Sequence, residues 1–106
     1  MKIGYINKKF EKQCSLAKRT WGERIGGKVL QRLAELAAFE NLSQVPYTPP
    51  QRCHLYRDST LKYAVDLTQN YRLIFSPAGK YEIKEGVGLV RESVKAVTIE
   101  HVEDYH

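Results

Sequence analysis

No apolar run in this sequence approaches the roughly 20 residues that a membrane-crossing helix needs. Its first ten residues, Met-Lys-Ile-Gly-Tyr-Ile-Asn-Lys-Lys-Phe, contain neither an apolar core nor a small-residue cleavage site, so no signal peptide is expected. Cysteine is scarce: Cys14 and Cys53 are the only two, with no CxxC pair and no zinc-ligand spacing. That excludes a disulfide framework and points to reduced thiols in core positions, as in a reducing compartment. Internal repeats and low-complexity tracts are also missing, which removes solenoids and disordered arrays from consideration. The expectation is a soluble cytoplasmic protein of one domain, residues 1–106. A chain of 106 residues buries roughly 60–65% of its unfolded surface without staples.

What is present is a lopsided charge. Residues 1–53 carry ten Lys and Arg against four acids, net +6, and residues 54–106 carry seven against eight, net −1, giving the formal +5 of the chain. A basic half of this kind has its own positive field and attracts a polyanion or an acidic partner.

The hydrophobic period changes along the chain. Lys2 to Ile6 alternates as a short strand. Phe10, Cys14, Ala17 and Trp21 then recur at steps of four, three and four, the stripe of an amphipathic helix with Asn7 as N-cap. A second helix is expected from about Glu23 to Glu40, burying Ile25, Val29, Leu30, Leu33, Leu36 and Ala37. On its flank Arg24, Lys28 and Arg32 stand four apart as a basic ridge. Gly26-Gly27 lies inside this helix at a cost of roughly 1–2 kcal/mol relative to alanine. Either the regular helix begins after the pair or two backbones approach closely there. Pro46-Tyr47-Thr48-Pro49-Pro50 is extended linker. Beyond it the period is two: Leu61, Tyr63, Val65, Leu67, then a Thr68-Gln69-Asn70 turn, then Tyr71, Leu73, Phe75. Arg52 to Tyr56 is expected to be a strand before this hairpin, the run from Ser76 to Ser93 a long loop, and Val94 to Val102 a final strand. The class is α+β, two N-terminal helices packed on a mainly antiparallel sheet of four to five strands.

Two clusters carry ionisable chemistry. One is Arg52-Cys53-His54-Leu55-Tyr56-Arg57; the other is Glu103-Asp104-Tyr105-His106 beyond the last strand. Together with Arg72 in the hairpin they supply imidazoles, guanidiniums, a phenol and carboxylates, the types needed for proton transfer and for holding a phosphate. Each has a plainer alternative. His54 fits a strand histidine, Arg72 fits an ion pair with Asp66 across the hairpin, the Tyr105 ring fits core packing, and His101 fits an ordinary strand or surface position. His54, His101, His106 and Asp104 include metal-ligating types, but His101 and His106 have no recognised ligand spacing, so neither a metal nor another cofactor is expected.

The order of these parts resembles the RelE/ParE superfamily of bacterial toxins, and within it the HigB-like "killer protein" branch. The resemblance covers nearly the whole chain. It rests on a short strand and two basic helices, on Gly27-Lys-Val-Leu-Gln-Arg-Leu-Ala-Glu-Leu36, and on Arg52-x-His54-x-x-Arg57. It rests further on Tyr63-Ala-Val-Asp-Leu-Thr-Gln-Asn-Tyr-Arg-Leu-Ile-Phe75 and the closing Glu103-Asp-Tyr-His106. It departs from the branch where a Lys-Gly-Asp-Arg-Lys-Gly turn is replaced by the less charged, glycine-free Arg57-Asp58-Ser59-Thr60-Leu61-Lys62, and where residues 77–93 form a longer insertion.

The resemblance implies the toxin of a type II pair, a ribosome-dependent mRNA endonuclease silenced by a cognate antitoxin, expected to be a HigA-like helix-turn-helix protein. Operator DNA would be bound only through that antitoxin, and no membrane is implied. The implied catalytic set is His54, Arg57, Arg72, Asp104, Tyr105 and His106; Arg24, Lys28, Arg32 and Lys62 would face ribosomal or messenger RNA. One of His54 and His106 would take the 2′ proton and the other protonate the 5′ oxygen, with Tyr105 as positioning donor or alternative acid. Arg57 and Arg72 would clamp the phosphate, and Asp104 would orient a histidine or an arginine. The competing functions are a ParE-like poison of DNA gyrase, which lacks this acid/base group, and a non-catalytic relative serving as an antitoxin-binding regulatory module.

Overall fold

The structure, a computed structural model, describes residues 1–104. Tyr105 and His106, both in the expected catalytic set, lie outside the described residues.

Strand β1 (Lys2–Tyr5) leads into α1 (Lys8–Ser15) and α2 (Ala17–Ala38). β2 (His54–Leu55), β3 (Tyr63–Thr68), β4 (Tyr71–Pro77), β5 (Ile83–Lys84), β6 (Gly88–Leu89) and β7 (Ala96–Asp104) follow. The main sheet has the order β1-β7-β4-β3-β2; β1 runs parallel to β7 and the other pairings are antiparallel. Two helices on a mainly antiparallel sheet is the α+β arrangement expected, with five strands.

Asn7 caps α1, its Oδ1 accepting the Phe10 amide at 2.8 Å. The helical run of α2 is broken at Gly22, whose φ of +86° and ψ of 166° lie in a region that essentially only glycine enters. A Cβ built on Gly26 would sit 2.4 Å from the carbonyl oxygen of Ala17 and 2.5 Å from Lys18 Cα. In a straight helix residues nine apart are separated by about 13 Å. The chain therefore folds back at Gly22 into a helical hairpin, and Gly26 is the close approach of its two arms. The stripe Phe10, Cys14, Ala17, Trp21 ends where the sequence divides the helices, one residue before the break.

Phe10, Cys14, Ala17, Val29 and Leu36 from the hairpin meet Tyr63, Val65, Leu67, Leu73, Phe75, Val97 and Ile99 from the sheet in one core. Leu30 and Ala37, expected in it, are exposed. Cys14 and Cys53 are buried free thiols, and burial pushes each pKa from an ordinary 9.0 up to about 11. The strand expected over Arg52 to Tyr56 is only His54–Leu55, and the expected 76–93 loop instead contains β4's end, the small β5–β6 sheet and a 3-10 turn at Arg91–Ser93. No helix among the described residues is long and apolar enough to cross a membrane.

Candidate active site

The sheet has a second face, away from the hairpin. Alternation along β3 and β4 turns Ala64, Asp66, Arg72 and Ile74 onto it. His54, Ala64, Ile74 and His101 are successive register partners across β2, β3, β4 and β7, and Asp66, Arg72 and Glu103 form the adjoining row across β3, β4 and β7. At about 4.8 Å per strand spacing, His54 and His101 stand about 14 Å apart at the ends of their row. A bulge in the β4–β7 pairing, between Ile74 and Phe75, lets His101 and Ile99 both register although Glu100 lies between them.

Ala64 and Ile74 are fully buried yet stand outside the core. Tyr56 reaches the same face from the end of β2. Its hydroxyl donates to Glu103 Oε1 at 2.7 Å and its ring meets the His101 ring edge-on at 6.0 Å. Arg57 lays its guanidinium 5.1 Å from the Tyr56 ring centre and donates Nη2 to the same Glu103 Oε1. Glu103 Oε2 is buried and has no hydrogen-bond partner among the described residues.

His54 Nδ1 contacts the Arg52 carbonyl oxygen at 2.6 Å. A carbonyl only accepts, so Nδ1 carries a proton, and Nε2 is the ring nitrogen left to exchange one. Arg72 Nε donates to Asp66 Oδ1 at 3.0 Å, so the cross-hairpin pairing noted as the plainer alternative is present. Arg52 adds a two-pronged contact to the same carboxylate, Nε to Oδ2 at 2.7 Å and Nη2 to Oδ1 at 3.2 Å. Arg52 and Arg57 both have positive φ, 46° and 50°, a conformation that costs a side-chain-bearing residue energy. Asp104 is exposed, and its charge and its hydrogen bond with the Tyr71 hydroxyl raise that phenol's pKa.

Of the RNA-facing group, Arg24 is exposed and Lys28 half-buried on the hairpin. Arg32 is not on their ridge. It is 2% exposed, with Nε on the Asp66 carbonyl at 2.7 Å and Nη1 on Glu35 at 3.1 and 3.2 Å. Each step of four residues advances about 40° around a helix, so two steps turn Arg32 from the outer flank toward the sheet. Lys62 pairs with Glu100 at 2.9 Å. Burial alone would raise the Glu100 pKa, but hydrogen bonds from Lys62 and Ser76, and the charges of Lys62 and His101, outweigh it and hold the carboxyl below its ordinary 4.5.

The described part of the expected set, His54, Arg57, Arg72 and Asp104, thus belongs to β2, β4 and β7 or the turn after β2. The sequence reading placed Tyr56 and Glu103 in the two ionisable clusters but assigned neither a role, and it set His101 aside as ordinary. The only available signal was a register: Glu103 and Arg72 are partners once the hairpin and last strand are aligned. Among the described residues no three His, Cys, Asp or Glu are grouped to hold a metal ion. No protein-family model, no curated protein and no solved structure matches the chain.

Proposed function

We propose that the protein is a RelE/ParE-type toxin of the HigB-like branch, a ribosome-dependent mRNA endonuclease that arrests translation. The observation that carries this reading is the open sheet face, where His54 and the guanidiniums of Arg57 and Arg72 are fixed by hydrogen bonds on one surface. The chemistry is transesterification within RNA. A base removes the 2′ proton, the 2′ oxygen bonds to phosphorus, and the P–O5′ bond breaks as an acid protonates the leaving oxygen. The products are a 2′,3′-cyclic phosphate and a 5′ hydroxyl. His54 suits the base, since its proton is committed to the Arg52 carbonyl and Nε2 can accept another. Arg57 and Arg72 suit the charge that builds on the phosphate oxygens. Tyr105 and His106 enter as the acid and its neighbour by family resemblance alone.

Ribosomal RNA, the messenger and an antitoxin are the partners this reading requires, and the cytoplasm is its compartment. The test is cleavage of a defined messenger on programmed ribosomes, mapped by primer extension, with a ribosome-free control. A-site cuts that need the ribosome and fall at least about hundredfold in His54→Ala and His106→Ala are expected. A folded wild type that leaves the messenger intact would discard the nuclease and send the inquiry to gyrase.

A further inference from the structure

We infer that Tyr56 and Glu103 are positioning residues that hold the Arg57 guanidinium over the open face; this rests on the nuclease reading above. Three independent features converge on Arg57. Its backbone is in the left-handed region at φ +50°, its guanidinium lies 5.1 Å from the Tyr56 ring centre, and its Nη2 donates to Glu103 Oε1. Tyr56 is tied in turn to that same oxygen through its hydroxyl at 2.7 Å, and packs its ring on His101. One carboxylate oxygen thus fixes two neighbours in sequence that lie 47 and 46 residues away from it.

Stability does not account for the arrangement. The Arg57 side chain is 62% exposed and that of Glu103 14%. A pair with so exposed a partner contributes little, because water screens it and ordering a long side chain opposes it. Against it stand the left-handed backbone at Arg57 and the buried Glu103 Oε2, which has no partner among the described residues; each disfavours the fold. A guanidinium held at a fixed place, ready for charge that develops only in the transition state, does account for it. Pre-set donors of this kind lower a barrier because they need not reorganise during the reaction.

The experiment is single-turnover cleavage on programmed ribosomes by wild type, Tyr56→Phe, Glu103→Gln, Arg57→Ala and the double variants with Arg57→Ala. Thermal melts accompany each variant to confirm folding. Tyr56→Phe and Glu103→Gln should each lower kcat about tenfold to hundredfold with KM little changed, the size expected when a group is displaced by about an ångström. In the Arg57→Ala background the same substitutions should have no further effect, because they act through that side chain. Folded single variants that cut at the wild-type rate overturn the inference and leave the nuclease standing. So do losses that multiply with Arg57→Ala, or that fall on KM alone. A wild type that does not cut overturns both.

Discussion

A carboxylate buried beside a lysine and a hydroxyl has two opposing pulls on its proton, and Glu100 shows which wins. Burial favours the neutral acid, but the hydrogen bonds from Lys62 and Ser76 and the charges of Lys62 and His101 leave its pKa below the ordinary 4.5. A depressed value means the folded state prefers the ionised form. The stabilisation is therefore complete above the unfolded value and disappears as pH falls through the lower folded one. Glu100→Gln should cost about 1 kcal/mol at pH 7, a modest figure because Lys62 is half exposed and screened. Urea melts of both proteins across a pH series from neutral into acid check this. The gap should close below the ordinary 4.5, and a gap that stays constant or widens in acid would refute the pairing as its cause. At this scale the sequence is legible for single side chains and much less so for pairs. Burial of Cys14 and Cys53 follows from residue type and pattern. The Tyr56–Glu103 contact does not, because it spans 47 residues and three strand pairings whose register includes an unsignalled bulge.

Among the elements, the helical hairpin holds the sharpest local test of how sequence becomes shape. Gly26 and Gly27 are adjacent and look alike in sequence, which leaves their purpose open between a late helix start and a close approach. The packing separates them. A Cβ on Gly26 meets backbone of Ala17 and Lys18 at 2.4–2.5 Å, where no rotamer change gives relief; one on Gly27 meets only Lys18 Cε at 3.9 Å. Gly26→Ala should therefore push the arms apart and cost about 2–3 kcal/mol or more, as overpacking does. Gly27→Ala should stabilise by about 0.5–1 kcal/mol through helix propensity. Chemical denaturation of the two variants decides it, and equal effects of either sign would refute the close approach. The same element shows why the basic ridge is only partly legible. A spacing of four keeps two residues roughly aligned, but over eight residues the 3.6-residue turn carries Arg32 under the sheet edge, where it holds the Asp66 carbonyl instead of solvent. Likewise, period-two alternation marks the core face of β3 and β4 but cannot show that Ala64 and Ile74 are fully buried on the other face.

Across the whole molecule the charge is confined to one element. Residues 8–31 hold seven Lys and Arg and two Glu, net +5; the rest of the chain has ten of each sign, so the hairpin carries the entire formal +5. On the sheet face Arg52 and Arg72 pair with Asp66, Arg57 with Glu103 and Lys62 with Glu100, while the opposite layer projects Lys8, Lys9, Lys12, Lys18, Arg19 and Arg24 as exposed side chains. Under the proposed function this division assigns the two layers different work. The hairpin supplies long-range attraction to RNA, which depends on counterion release, and the sheet supplies chemistry, which depends on fixed geometry. Lys12→Gln combined with Arg24→Gln should weaken ribosome association and flatten its salt dependence. The slope of log K against log salt should fall by about 0.7–0.9 for each phosphate that the hairpin no longer neutralises. Both side chains are exposed, so melting should change little. The single-turnover rate at saturating protein should also stay near wild type, because the sheet face is untouched. Binding to ribosomes over a salt series, followed by cleavage at saturation, tests both halves. An unchanged slope would remove the hairpin from the RNA interface, and a fallen saturating rate would mean that the two layers do not divide attraction from chemistry.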